Sequence, residues 1–314
     1  MAPTADGGPP TPPPTAPLPA PLATPAPAVP RIGLAASLRI QGRLVLIVLA
    51  LLAGLPLHYL CRMVARHSPM PRLVLRAIAR ILGVRVRVVG TPLRRDAFLL
   101  ANHVSWLDIP ALAGVTGTAF VAKAEVAATP VVGWLASLNR TVFVQREARL
   151  GIAAQINALR EALAENHAVT IFPEGTTTDG QSLLPFKTAM LKVLEPPPPP
   201  SGSLGVMVQP VLLDYGALAP FIGWVGDEPG LANVLRVLAR PGAIPLTIRF
   251  LEPFSPADHP GRKAIAAEAR ARIEAALIAA LGRPLRPFAL PVEAIRYVPS
   301  TPAEPAHDRA EGED

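Results

Sequence analysis

Apolar and polar positions give the chain three successive textures. The first is Leu44–Cys61, LVLIVLALLAGLPLHYLC, 18 residues without a formal charge. As a helix it would extend about 27 Å, against a hydrocarbon core of about 30 Å, with Pro56 and His58 weakening its far end. Such a run crosses a bilayer once or dips into one leaflet. Arginines on both flanks argue against a buried core helix. The 43 preceding residues and the absence of a small-x-small site argue against a signal peptide. The second texture is Ser68–Gly83, SPMPRLVLRAIARILG, with Arg72, Arg76 and Arg80 four apart beside a stripe containing Leu73, Val74, Ala77, Ile78 and Ile81. It predicts a basic amphipathic helix lying on a membrane surface.

From Val84 the pattern changes to short apolar runs alternating with helical spacings. The runs predict strands at Val84–Val89, Ala97–Ala101, Thr118–Ala122, Thr141–Gln145, Ala168–Phe172, Gly205–Leu212 and Leu246–Phe250. Ala148–Glu165 and Arg262–Leu281 place apolar residues at helical spacing between and after them. Strands alternating with helices predict an α/β domain, a mixed and mostly parallel sheet flanked by helices. Pro196–Pro200 fits neither a helix nor a central strand and reads as a connector. The expected organisation is a proline-rich tail at 1–30, membrane-anchoring helices at 31–83, an α/β domain at 84–286 and a flexible tail at 287–314.

Composition refines this picture. Twelve of the 39 prolines fall in the first 30 residues, so the enrichment belongs largely to a tail. Half of the residues are apolar and 17% are charged, which excludes a wholly disordered chain. One cysteine, Cys61, excludes a disulfide scaffold and a cysteine-based metal site. The net charge of +7 is unevenly placed. Residues 31–95 hold twelve arginines and no acid, whereas 96–314 hold 18 bases against 22 acids. Basicity confined to the apolar segment points to anionic lipid and not to nucleic acid. It also predicts that the chain after that segment stays on the cytoplasmic side.

Two stretches carry chemistry. In Ala101–Leu112, ANHVSWLDIPAL, a strand ends and His103 and Asp108 follow five residues apart. On one helix their side chains would diverge by about 140°. They meet if His103 lies in a loop and Asp108 in the first helical turn, which the capping-box spacing of Ser105 and Asp108 permits. An aspartate on one ring nitrogen fixes the tautomer and leaves the other free to accept a proton. A satisfied loop histidine beside a capping aspartate has the same spacing. The second stretch, Ala168–Lys187, AVTIFPEGTTTDGQSLLPFK, is a strand, a Pro-Glu-Gly turn and a run of hydroxyl residues. Such a turn exposes backbone N–H groups at a strand's carboxyl end, where α/β sheets place ligands. Lys123 and Arg146 each follow an apolar strand, as cations for a ligand or as solvated strand ends.

Asn102-His103…Asp108, Val142–Arg146, Phe172-Pro173-Glu174-Gly175-Thr176 and Val208-Gln209-Pro210-Val211 occur in that order. In this the chain resembles the glycerolipid acyltransferase family typified by 1-acylglycerol-3-phosphate acyltransferase, over about residues 40–255. The resemblance implies that His103 is a general base oriented by Asp108. It would activate a lysolipid hydroxyl for direct attack on an acyl thioester, acyl-CoA or acyl-carrier protein, with no cofactor or metal. It further implies Lys123 and Arg146 as head-group ligands, Glu174, Gly175 and Thr176 as residues shaping the acceptor site, and the bacterial inner membrane as the location. Members forming phosphatidic acid follow F-P-E-G-T with Arg or Ser, where this chain has Thr177-Thr178-Asp179. A lost charge-assisted contact to a phosphate is worth about 1.5–3 kcal/mol. That departure, with Val208–Tyr215 and Gly223–Asp227, is most similar to the lyso-ornithine lipid acyltransferases, whose acceptor carries no phosphate; some phospholipid-remodelling members also carry F-P-E-G-T-T, so the resemblance implies either lyso-ornithine lipid or a 1-acylglycerol-3-phosphate-type lysophospholipid as acceptor. A non-catalytic lipid-binding scaffold and a thioester-independent transacylase remain alternatives.

Overall fold

The most apolar strand predicted from the sequence, Ala97–Ala101, is buried at every residue, as expected of a strand covered on both faces. In a computed structural model this strand, β2, lies at the centre of a seven-stranded sheet. The structure describes residues 33–65, 68–128, 133, 136–144, 168–195, 205–226 and 228–287. The strands in chain order are β1 (Val84–Val89), β2, β3 (Ala119–Lys123), β4 (Val142–Val144), β5 (Val169–Ile171), β6 (Met207–Asp214) and β7 (Ile244–Phe250). Their spatial order is β1-β7-β6-β2-β5-β3-β4. Every pairing is parallel except β6 with β7. The sheet is therefore mixed and mostly parallel, as the alternating pattern predicts. The predicted strands are found with ends shifted by up to two residues, while Gln145, the helix expected at Ala148–Glu165 and Pro196–Pro200 lie outside the described residues.

The period-two alternation of β2 divides the core. Ala97, Leu99 and Ala101 join one apolar cluster, and Phe98 and Leu100 join another. The first cluster is covered by α2 (Met70–Ile81), α3 (Asp108–Thr116) and α4 (Gly230–Ala239). The second lies under α5 (Gly261–Leu281), which contributes Ile265, Ala266 and Ala269. At the edge, β1 alternates its arginines outward, a charged edge that discourages strand addition.

The apolar run proves to be part of a longer helix, α1 (Leu34–Val64), 31 residues and about 46 Å. It is long and apolar enough to cross a membrane. One stripe, Ile40, Gly54 and His58, is buried against protein, while Leu44, Val45, Leu46, Val48, Leu49 and Leu52 stay exposed. Polar ties fix its first turns: Arg39 Nε donates to the Ala239 carbonyl at 3.0 Å, and Arg43 Nη1 donates to those of Val237 and Leu238 at 2.9 Å. These are the last carbonyls of α4, at the negative end of the helix dipole; that of Val237 also accepts the Arg240 N–H at 3.2 Å.

The amphipathic helix expected at Ser68–Gly83 is present as α2, but its apolar stripe faces protein and not lipid alone. Leu75 and Ile78 pack on the core, and Val74 meets α1 at Gly54. Arg76 and Arg80 are exposed, whereas Arg72 Nε reaches the Gly114 carbonyl of α3 at 3.4 Å. A Cβ built on Gly114 would lie 2.8 Å from the Cα of Arg76. This glycine is the point where the two helices touch. Alanine there gains about 1 kcal/mol of helix propensity, but overpacking against backbone costs about 1–3 kcal/mol. Gly114→Ala is therefore expected to lower the thermal midpoint of the detergent-solubilised protein. A midpoint equal to or above that of the parent would refute this account of the α2–α3 contact.

Candidate active site

Three adjacent parallel strands, β6, β2 and β5, end on the same side of the sheet. The chain leaves β2 as Asn102-His103, β5 as Phe172-Pro173-Glu174 and β6 as Tyr215. Asn102 clamps the first of these ends to the third. Its side-chain oxygen accepts the Leu213 N–H at 2.7 Å and its amide donates to the Leu213 carbonyl at 3.1 Å.

His103 and Asp108 meet as the spacing allows. Nδ1 of His103 lies 2.8 Å from Oδ2 of Asp108. The same oxygen accepts the N–H groups of Val104 and Ser105 at 2.8 and 3.0 Å, satisfying donors that a helix start leaves free. Only half of the Ser105–Asp108 capping box forms: the carboxylate takes the Ser105 N–H, but Ser105 Oγ accepts the Leu107 N–H at 3.4 Å, and the helix begins at Asp108 with Leu107, not Ser105, as its N-cap. Oδ1 of Asp108 receives the hydroxyl of Tyr215 at 2.6 Å. With its proton on Nδ1 as donor to Asp108, the imidazole keeps Nε2 as an acceptor. The His103 side chain is 18% exposed and that of Asp108 0%, so the pair meets the outside through its ring. Phe172 stacks on that ring with centroids 4.0 Å apart.

Glu174 acts through backbone. It is 1% exposed, and its oxygens accept the N–H of His103 at 2.8 Å and of Leu184 at 2.9 Å. It shapes the site by holding the residue before and at the imidazole in place, not by reaching into open space. Burial pushes its carboxyl up to about 8, the charge of Asp108 adds to that, and the two N–H bonds and Arg270 oppose it. Gly175, at φ +75°, closes the turn with its N–H on the Phe172 carbonyl at 3.1 Å. A Cβ there would lie 2.8 Å from Nζ of Lys187, so glycine is required by conformation and by space. Thr176 is half-buried on the same segment. Thr177 donates its hydroxyl to the Trp224 carbonyl, and Thr178 donates N–H and hydroxyl to the His103 carbonyl at 2.8 and 3.1 Å.

Of the two predicted cations, Lys123 is the last residue of β3, and Arg146 lies outside the described residues. Nothing in the sequence pattern assigns a role to Tyr215, although the Val208–Tyr215 stretch stands out. Nor does that pattern single out Asn233 of α4, which accepts from Trp106 Nε1 at 3.1 Å and donates to the Gly223 carbonyl at 3.1 Å and to Glu228 at 3.0 Å. Arg236 donates to both Glu228 oxygens and to the Gly223 carbonyl. Together they tie the loop bearing His103 and Asp108 to the 223–228 segment.

The raised carboxyl of Glu174 sets a direction for stability against pH. Its folded value, about 8, exceeds its ordinary 4.5. Its favourable contribution is therefore complete below 4.5 and is lost as pH rises through about 8. Relative to Glu174→Gln, the parent should lose stability by up to about 1.4 kcal/mol per pH unit across that window. Thermal midpoints of both proteins from pH 5 to 8 measure it; a constant difference would contradict the buried, proton-retaining carboxyl.

Comparison with known proteins identifies the family. The profile of the Acyltransferase family matches residues 85–214, from β1 to the end of β6. The lyso-ornithine lipid O-acyltransferase of Rhodobacter capsulatus is 36% identical over 257 residues, covering 76% of this chain and 91% of that protein. That of Pseudomonas aeruginosa is 38% identical over 205 residues, covering 62% and 73%. The crystal structure of the 1-acyl-sn-glycerophosphate acyltransferase from Thermotoga maritima superimposes with a TM-score of 0.51 at 22% identity, over 76% of this chain and 96% of that one, and so shares the fold. The matched span contains the His103–Asp108 pair and the Glu174 turn, and the chain belongs to the glycerolipid acyltransferase family, as an acyltransferase.

Proposed function

We propose that the protein transfers a fatty acyl group from an acyl thioester, acyl-CoA or acyl-carrier protein, to the free hydroxyl of lyso-ornithine lipid. The observation that carries this reading is the His103 Nδ1–Asp108 Oδ2 contact at 2.8 Å, with the imidazole as the exposed partner. Nε2 of His103 takes the proton of the lipid hydroxyl as its oxygen bonds to the thioester carbonyl carbon. The tetrahedral intermediate then expels the thiolate with cleavage of the C–S bond. The thiolate regains the proton from Nε2, leaving an ester and a free thiol. A thioester is already activated, so the alcohol attacks directly and no acyl-enzyme is required. Asp108 holds the tautomer and balances the imidazolium charge.

Two features support an acceptor without phosphate. The two curated relatives described above are lyso-ornithine lipid O-acyltransferases. The position where phosphatidate-forming members carry a cation is Thr177, whose hydroxyl is spent on the Trp224 carbonyl. Lys123 and Arg146 are assigned to the head group, the latter by its planar fork of donors. The exposed apolar face of α1 provides the membrane contact, and the arginine excess at 31–95 favours a catalytic domain on the cytoplasmic face of the bacterial inner membrane.

Purified protein in detergent or nanodiscs, supplied with labelled acyl-CoA or acyl-carrier protein and a panel of lysolipids, tests the assignment. Lyso-ornithine lipid should give a larger kcat/KM than 1-acylglycerol-3-phosphate. His103→Ala should lose about 100- to 10,000-fold in kcat. A preference for the phosphate acceptor would overturn the acceptor assignment, and full transfer by His103→Ala would overturn the base. Transfer with no thioester present would replace the donor by a phospholipid.

A further inference from the structure

The buried hydroxyl of Tyr215 is the group in the site that no proton-transfer step uses. Tyr215 is the first residue after β6, 107 residues from Asp108, and is 1% exposed. Its hydroxyl lies 2.6 Å from Oδ1 of Asp108. That oxygen is the one turned away from His103, since Oδ2 takes the imidazole and the N–H groups of Val104 and Ser105. A carboxylate has about four acceptor sites over its two oxygens. Asp108 therefore receives four donors, three on Oδ2 and the Tyr215 hydroxyl on Oδ1.

We propose that Tyr215 is a positioning residue of the reaction, which pins Oδ1 of Asp108 and limits how much negative charge the carboxylate presents to His103. This rests on His103 being the base. A hydrogen bond to Oδ1 draws charge away from Oδ2. The imidazole then faces a carboxylate of moderated charge, fixed in place, with Nε2 available to accept a proton from the lipid hydroxyl. Tyr215 itself remains a donor throughout: burial first, then the charge of Asp108 and the bond to it, hold its hydroxyl well above the ordinary range.

Other charges surround the pair and stay constant between the proteins compared. Glu174 follows β5 and titrates near 8. Asp214 ends β6, Arg236 of α4 is paired with Glu228, and Arg270 of α5 is paired with Glu274. Arg72 and Arg76 lie on α2 against α3, while Asp179 and Lys187 lie on the segment after the Glu174 turn.

The test is the pH dependence of kcat/KM for acyl transfer by the full-length protein. Tyr215→Phe should move the acidic limb to higher pH, by about half a unit or more. Replacing Tyr215 by 3,5-difluorotyrosine, a stronger donor of nearly the same shape, should move it to lower pH. The second substitution decides the matter if the phenylalanine variant fails to fold. A tyrosine that only fills space predicts a lower plateau with both limbs unmoved, and that result would overturn the proposal. Glu174→Gln identifies any limb belonging to Glu174. His103→Ala separates the two readings: if it keeps full activity the base assignment fails, whereas an inactive His103→Ala with unmoved limbs at Tyr215 removes only the role of Tyr215.

Discussion

The site depends on one buried carboxylate. Asp108 is fully buried, and an unpaired ionised carboxylate in that place would be prohibitively costly. It is tolerated because the chain delivers donors to it from two directions. The loop before α3 supplies the N–H groups of Val104 and Ser105 as well as the imidazole, and the residue after β6 is Tyr215, which supplies its hydroxyl. Meeting that requirement fixes the geometry. The loop must curl so that His103 and Asp108, five residues apart, face one another, and β6 must lie beside β2. The Asn102 clamp on Leu213 and the register pairing Ala101 with Val211 hold the two strand ends together.

Glu174 performs the complementary task on the other side. Its oxygens bridge the backbone of His103 and Leu184, and Arg270 of α5 donates to the carbonyls of Leu183 and Leu184 at 3.1 and 3.4 Å. The His103 backbone is thereby held at its N–H by Glu174 and at its carbonyl by Thr178. This explains why F-P-E-G-T-T and N-H-x4-D act as one unit while separated in sequence: the second motif immobilises the peptide groups of the first. Side-chain freedom at His103 is reduced further by Phe172 stacking. An imidazole restrained in this way loses little entropy on entering the reactive geometry.

Much of this was legible in the sequence because it is local. Uniform apolar runs marked β2 and β5, and the Ser105–Asp108 spacing marked a helix start compatible with the His103 contact. Tyr215 was not legible as a ligand of Asp108, because its role exists only once β6 and β2 are neighbours; in VQPVLLDY it reads as one more core residue. The setting of α2 escaped for a different reason. Periodicity shows that a face is apolar but does not say whether lipid or protein covers it, and here α1 and the core take it. The true length of α1 was hidden by Arg39 and Arg43, which interrupt the apolar run without interrupting the helix. Helix α4 passed unread between Pro229 and Pro241, where only ten residues carry its pattern.

That short helix connects the membrane segment to the chemistry. Its C-terminal carbonyls are capped by Arg39 and Arg43 of α1, and Asn233 near its other end accepts from Trp106 inside the His103–Asp108 loop. The Arg236–Glu228 pair, 2% and 6% exposed, binds the same helix to the 223–228 segment, whose Trp224 N–H reaches the Val104 carbonyl at 3.2 Å. Buried ion pairs are poor sources of net stability, since desolvation offsets their attraction. Their value here is geometric: Arg236 Nη1 and Nη2 fasten the helix to Glu228 and to the Gly223 carbonyl. The exposed apolar face of α1 and the loop that carries the imidazole are consequently linked through one helix. On the proposed function, an acceptor whose tails stay in a bilayer would meet His103 at a height to which the ties between α1 and α4 contribute.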